Sequence, residues 1–533
     1  MKADLILKNG KIYTLCHESP WVESIACRKG KIIAIGSTEQ LKALSSSKTT
    51  EIDLEGHFAM PGYNDAHVDF FRGGRSLRSV DLRFMKSKHE LQTAVAKYIA
   101  TRKQGEWILE GNWNHEIWPD KTRPDKALLD PVSPNNPVFL CRADQHVSVA
   151  NSVALKLAGI TKDTLSPEGG EIEKDPVTGE PNGVLIDTAQ EIVNQIIPEP
   201  DLALTVEYIK AGMEYAASLG ITSIQDNSTA MTLQAYQQLL ENNELTVRVN
   251  IWRPVAIISA FKSIGLLEHF GNDMIRCGVM KIFADGSMGA GSAYMFESYT
   301  DNAKSCGLSI YPQEKLTQMI TEVDASGLQC AVHAIGDRAN HMVLNAYESA
   351  IINNPMRDRR HRVEHAQIIK PVDLDRFARL GLVASVQPAQ YLDDIDWAEN
   401  RIGKERLKDL FLWKSFLNRG VKVVFGTDWP VAAFDPMVTL YAATTRKTED
   451  GRLKSYWNED EKLNLAEAIE CYTLNGAYAE FMESQKGSLE VDKCADIIVL
   501  SDNPFEMEPE KLMDTKVDKT IFNGNLIYER AGA

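Results

Sequence analysis

From residue 59 to residue 425 the chain alternates short apolar runs with longer stretches of helical periodicity. That alternation is the pattern of βα units, and it commits the middle of the chain to a parallel sheet covered by helices. Eight runs read as strands: Ala59 to Phe70 (two short pieces around Pro61-Gly62), Ile221 to Gln225, Thr246 to Trp252, Val279 to Phe283, Gln329 to His333, Arg362 to His365, Leu382 to Gln387 and Val421 to Phe425. Eight such units favour a closed (β/α)8 barrel over an open doubly wound sheet.

Asp69 and Ile221 stand 152 positions apart. No ordinary connection is that long, so the interval must carry structure of its own. Its first helix is legible: Ser87 and Glu90 form a capping box, and Leu91, Ala94, Val95, Tyr98 and Ile99 share one apolar face. That helix is expected to pack on a small sheet containing Trp107 to Glu110 and Val138 to Arg142, and a helix over Leu204 to Leu219, stopped at Gly220, leads back to the barrel. The chain ends have a different texture, with β-branched runs broken at Asn9-Gly10, Lys29-Gly30-Lys31 and Asn523-Gly524, which read as hairpin turns. The expected architecture is therefore α/β, a distorted (β/α)8 TIM barrel with a split β-sandwich from both termini and a small inserted α+β domain. Its divisions fall at 1–58 plus 480–533 for the sandwich, 59–72 plus 200–479 for the barrel and 73–199 for the insertion.

Composition removes several function classes. With 58 Lys+Arg against 74 Asp+Glu the net charge is −16, which opposes attraction to nucleic acid or anionic lipid. The basic run Arg357 to Arg362 sits in a helix-to-strand turn and reads as a solvated turn. Eight cysteines without a Cys-x-x-Cys pair argue against a disulfide framework and a thiolate zinc site. The first fifteen residues lack the unbroken apolar core of a signal peptide, and no run approaches the roughly 18 apolar residues of a membrane span. A cytoplasmic enzyme acting on a small molecule is expected, with a homodimer as the base-rate assembly.

In a barrel the reactive side chains come from the C-terminal ends of the strands. Those ends carry His67-Val68-Asp69, then Lys281 inside an apolar run, then His333, His365 and Gly426-Thr427-Asp428. Alternation puts His67 and Asp69 on one face, where both can grip a cation, and pairs His333 with Ala331 rather than with Cys330. A lysine inside an apolar strand is costly without a partner. A lone strand-end histidine is ordinarily a satisfied structural residue, and Lys281 alone reads equally as a snorkelling side chain. Together, imidazoles and carboxylates at the ends of different strands suit zinc and other borderline divalent ions, and an open coordination position makes such a site hydrolytic. The glycine-rich GSMGAG at 286 to 291 lacks the residues of a phosphate loop and is expected to let backbone approach the metal site. Arg338 is a candidate partner for a substrate carboxylate, beside the plainer reading of a salt bridge.

The motifs PGYNDAHVD, KIFADGSMGAGSA, VHAIGDRAN, RVEHAQ, FGTDWPV, TLNGAYA and GSLEVDKCADIIVL, in that order over nearly the whole chain, resemble the amidohydrolase superfamily and specifically its YtcJ-like branch. The resemblance implies a metal-dependent hydrolase of amide or related C–N bonds. It implies that His67, His333 and His365 are metal ligands, that Lys281 is the lysine carbamylated in many relatives to bridge two metals, and that Asp428 both binds metal and shuttles the proton. One or two divalent ions, zinc foremost, are the implied cofactor. GNWNHEIWP and RADQHVSVAN resemble segments that face the active site, which nominates Trp113 and His146 as substrate contacts, with core packing of Trp113 and turn formation by Asp144 as the alternatives. The chain departs from the family at strand 1, where His-x-His has become His67-Val68-Asp69, so Asp69 replaces a ligand and the number of metals is open. Amide, formamide or cyclic-amide hydrolysis is the expected reaction; ester or lactone hydrolysis at the same site, and a scaffold that has lost its metals, are the alternatives.

Overall fold

The computed structural model describes residues 2–267, 270–448 and 458–532. The barrel strands are β1 (Tyr63–Val68), β2 (Ile221–Asn227), β3 (Arg248–Pro254), β4 (Ile275–Phe283), β5 (Gln329–Ala334), β6 (Arg362–His365), β7 (Val383–Val386) and β8 (Lys422–Phe425). They pair in chain order and all in parallel. Between β8 and β1 a single parallel bridge, Val68 with Trp429, replaces a full ladder. The Asp65 carboxylate reinforces that seam, accepting from the Thr427 N–H at 3.0 Å and its hydroxyl at 2.6 Å. Gly426 is required there, because a Cβ would fall 2.5 Å from the His67 nitrogen.

Outward-facing side chains such as Ile224, Ile251, Ile282, Val332 and Val363 join the helices in one large core. The lumen is different. It holds the small cluster Trp252, Val279 and Ala331 together with a fully buried Arg362. Arg362 reaches across to the Ala66 carbonyl at 2.7 Å, the Ser385 hydroxyl at 2.9 Å and the Gln225 side chain, from β1, β7 and β2.

The run expected as the first barrel strand is divided at Pro61-Gly62. Phe58–Pro61 belongs to a six-stranded sheet with Lys11–Tyr13, Trp21–Val22 and three strands from the C-terminal end, and only Tyr63–Val68 enters the barrel. A second sheet of four strands comes from the N-terminal end alone. Asn9-Gly10 is no hairpin turn: Leu5–Lys8 lies in the four-stranded sheet and Lys11–Tyr13 in the six-stranded one, so the pair carries the chain from one layer to the other. Lys29-Gly30 and Asn523-Gly524 do close hairpins, with Arg28 paired to Lys31 and Phe522 to Asn525.

The insertion is a five-stranded sheet, ordered Gly170–Lys174, Pro181–Asp187, Val147–Ala150, Val138–Arg142 and Ile108–Trp113. The helix Lys88–Ile99 packs on it through Leu91 and Val95. Ser87 caps that helix, but Glu90 completes only half of the box, accepting from the Lys86 N–H at 2.8 Å instead of from Ser87. The helix Leu202–Ser218 returns the chain to β2, and Gly220 beyond it adopts φ +74°.

Candidate metal centre

His67 is the last residue but one of β1, with its imidazole in the barrel mouth. Its Nδ1 lies 2.9 Å from Glu364 Oε2, and Glu364 is itself gripped by Arg362 at 2.8 and 3.1 Å. That carboxylate accepts a hydrogen bond from the Nδ1–H and so leaves Nε2 facing Lys281 Nζ at 3.0 Å and Asp428 Oδ1 at 3.5 Å. One ligand atom each from His67, His365 and Asp428 lies within 4.8 Å of the others.

Two of the three depend on unusual backbone. Alternation along β6 sets Arg362 and Glu364 into the lumen and would send His365 outwards among the helices. The chain prevents this by taking His365 to φ +71° and Ala366 to φ +43°; Asp428 likewise sits at φ +58°. Non-glycine residues bear that conformation at a cost on the order of 1–3 kcal/mol each, typically where a functional geometry demands it.

Lys281 and His333 stand beside the trio. The lysine ammonium lies 5.5 Å from the Trp252 ring centre and 4.9 Å from that of Phe283. The His333 ring is 4.4 Å from that of His365, and its Nε2 is 3.2 Å from the Gly286 carbonyl. Asp69 lies outside the trio, because β1 ends at Val68 and Asp69 begins the helix Phe70–Ser76; its side chain bonds Asn227 at the cavity wall.

Burial governs the charges here. It pushes the Asp428 carboxyl up to about 7, with the Asp69 charge adding to the effect. Burial and then Lys281 hold His67 down at about 4, and burial takes His333 and His365 well below the ordinary histidine value. Lys281 is lowered for the same reason. The imidazoles are thus neutral, the form that binds metal. His365 Nδ1 is buried with no partner among the described residues. A cation fits this donor set.

The cavity above the centre has a volume of about 510 Å³ and is walled on its far side by the insertion. Glu110 reaches it from Ile108–Trp113 and pairs with Arg75 and, at 3.5 Å, with Arg72, both on the helix after β1. His146 also lines it; its Nδ1 lies 2.6 Å from Asp187 Oδ1 and its ring 5.2 Å from that of His333. Burial opposes a charge on His146, but Asp187, Asp144 and Asp285 outweigh it and raise the imidazole above its ordinary value.

Two expected substrate contacts are elsewhere. Trp113 is fully buried in the core of the insertion, with its N–H donated to the Leu140 carbonyl at 2.8 Å. Arg338 is exposed and stacks over Tyr294 at 4.6 Å, outside the cavity. The glycine-rich loop brings backbone to the site, with the Gly286 carbonyl beside His333 Nε2, and it also admits the insertion. A Cβ on Gly286 would stand 2.8 Å from both Asp187 carboxylate oxygens, and one on Gly289 2.8 Å from Arg142 Nη2. Ser287 of the same loop donates to Asp144, which Arg142 meets at 2.6 Å.

Comparison with known proteins agrees with this geometry. A family model described as the amidohydrolase family matches residues 50–528. Protein LONG AFTER FAR-RED 3 of Arabidopsis thaliana is 35% identical over 99% of this chain and 92% of its own length. YtcJ of Bacillus subtilis (strain 168) is 31% identical over 100% of both chains, and the N-substituted formamide deformylase of Arthrobacter pascens 27% identical over 99% of both. Among solved structures, an uncharacterized metal-dependent hydrolase from Pyrococcus horikoshii OT3 superposes with a TM-score of 0.78 at 28% identity, covering 95% of this chain and 99% of that one.

Proposed function

The chain belongs to the amidohydrolase family, and on that footing we propose that it hydrolyses an amide, formamide or cyclic-amide C–N bond of a small molecule, using a divalent cation held by His67, His365 and Asp428. The observation that carries this reading is the convergence of those three ligands within 4.8 Å at the floor of a cavity of about 510 Å³, a volume suited to a small molecule. The name of the Arthrobacter relative supports the choice of a C–N bond. Two imidazoles and a carboxylate favour zinc.

A divalent cation bound there lowers the pKa of water and polarises a carbonyl. Asp428, with its carboxyl near 7, takes the proton of the attacking water and passes it to the departing nitrogen, acting first as base and then as acid. Glu364 holds His67 in the tautomer that faces the centre. Lys281, whose amine burial favours in the neutral form, is the residue we assign to carbamylation by carbon dioxide; the carbamate would add an anionic ligand beside His67, and His333 would be available to hold a second cation. Among the described residues no helix is long and apolar enough to cross a membrane, and eight free cysteines suit a reducing compartment, which supports a cytoplasmic location.

Metal analysis followed by an amide and ester library tests the proposal. Near-stoichiometric zinc and turnover of amides support it. Less than about 0.2 equivalents of any divalent ion after growth with zinc or manganese would sink the enzyme reading in favour of a scaffold, and turnover confined to esters or lactones would move the reaction to C–O bonds.

A further inference from the structure

The wall that the insertion contributes to the cavity holds two buried oxygens with no hydrogen-bond partner among the described residues, Gln145 Oε1 and Asp187 Oδ2. Both are acceptors. The other polar atom of each side chain is engaged: Asp187 Oδ1 by His146 Nδ1 at 2.6 Å, and Gln145 Nε2 by Asn112 Oδ1 at 2.8 Å. The Asp187 side chain is only 2% exposed. What remains on each is a single unpaired oxygen, on a residue that lines the cavity.

Keeping them there is costly. An unmet buried acceptor costs about 1–3 kcal/mol. The backbone is left-handed at both residues, with φ +64° at Gln145 and +48° at Asp187, which adds strain of similar size. The local structure nevertheless locks them. Gln190 Nε2 donates to the Gln145 carbonyl at 3.0 Å and to the Asp187 carbonyl at 3.4 Å, Ser148 fixes Gln190 from behind at 2.5 Å, and the Asp187 N–H reaches the His146 carbonyl at 2.9 Å. Gly286, in the loop after β4, leaves the space that the Asp187 carboxylate occupies. An incidental loop would turn such acceptors to water.

Building on the reading of this cavity as the substrate site, we propose that Gln145 and Asp187 form a subsite for a nitrogen group carrying at least two N–H hydrogens on the part of the substrate away from the scissile bond. Guanidinium, amidinium, ureido and carboxamide groups share that chemistry. Two acceptors reject a carboxylate or an ether, which offer no donor. The arginines that line the same cavity do not reverse this preference, since both are paired within it: Arg75 and Arg72 meet Glu110, and the Asp69 carboxylate acts on Arg72 as well.

The full-length protein, metal-free and zinc-loaded, is titrated with methylguanidinium, N-methylurea and acetate and followed by calorimetry. The two nitrogen probes are expected to bind and acetate to leave the metal-free protein unaffected. Asp187→Asn should weaken methylguanidinium roughly 10-fold or more. Gln145→Met should weaken both nitrogen probes, while Gln145→Glu, which keeps the acceptor, should bind them at least as well as the native chain and so separates loss of the subsite from loss of the fold. Acetate binding the metal-free protein more tightly than either nitrogen probe, or titrations indifferent to all three substitutions, overturns the subsite. Probe binding without turnover of any amide would instead overturn the hydrolase reading and leave the subsite standing.

Discussion

Asp324 and Asp428 lie at opposite ends of the same barrel and have opposite electrostatic fates. Asp324, below the start of β5, accepts from Arg357 and Arg359 at 2.9 Å and from His361 at 3.1 Å. Against its burial, those partners hold its carboxyl far below the usual range. The same end buries Arg248 against Asp496 at 2.6 Å and Lys486 against Glu480 at 2.8 Å, so its charges are matched. At the mouth, burial without an adequate partner drives Asp428 the other way, to about 7, beside three imidazoles that burial keeps neutral. Matched buried charge is the signature of stability, and unmatched buried charge that of a site awaiting a ligand.

The largest expected effect follows from that contrast. Asp428→Asn should lower kcat by about 10²- to 10⁴-fold, the usual worth of a positioned acid–base group. Its metal-free form should melt no lower than the native chain, because a carboxyl raised above its unfolded value is a burden on the fold at neutral pH. Full activity in the Asp428→Asn protein would end the proton-shuttle assignment. Asp324→Asn should do the reverse, costing about 3–5 kcal/mol of stability by stranding buried cations while leaving kcat close to native. The pH dependence has a definite sign. Because the folded carboxyl lies below the unfolded value of about 3.9, its contribution is complete at pH 7 and is lost as pH falls through the folded value. Urea melts of the Asp324→Asn and native proteins should therefore differ most near neutrality and converge below about pH 4; a gap that widens in acid contradicts the assignment.

Glu364 tests whether the mouth is organised as well as reactive. Glu364→Gln keeps the shape and removes the charge that fixes the His67 tautomer, so zinc affinity should drop about 10- to 100-fold in chelator competition. An unchanged affinity would show that His67 needs no orientation.

How much of this is legible in the sequence depends on whether a residue's position follows from local periodicity. The eight strands are readable as short runs, most of them rich in apolar and β-branched residues, separated by helical stretches, and alternation places His333 with Ala331 in the lumen and Cys330 in the outer core. Glu364 is absent from the expected site because its strand, Arg362–His365, is mostly polar, so its charge does not stand out as that of Lys281 does inside an apolar run. His365 is nominated by its place at a strand end, but how it reaches the centre is not readable, since alternation points it outwards and only a left-handed residue brings it back. Gln145 and Asp187 are invisible for the same reason, and the seat of Asp187 depends on Gly286, far along the chain in another βα loop. Asn9-Gly10 has hairpin composition, but each flanking strand finds other partners, Leu5–Lys8 pairing with residues 24–28 and 50–53 and Lys11–Tyr13 with Trp21–Val22 and Phe58–Pro61.

The smallest expected effect concerns Arg338. By position, five residues after the metal-site histidine of β5, it has the same claim to the cavity as any residue of that loop. The helix Asp337–Asn353 begins before it, however, and the first turn carries Arg338 outwards onto the exposed side, where it stacks on Tyr294. An exposed cation–π contact is worth about 0.5–1 kcal/mol. Arg338→Ala should accordingly cost at most about 1 kcal/mol in a urea melt and leave kcat/KM within about twofold for neutral and carboxylate-bearing amides alike. A selective loss for the carboxylate-bearing substrates would place this arginine back at the site and shift the comparison, since the mouth would then recognise its substrate from the barrel helices as well as from the insertion.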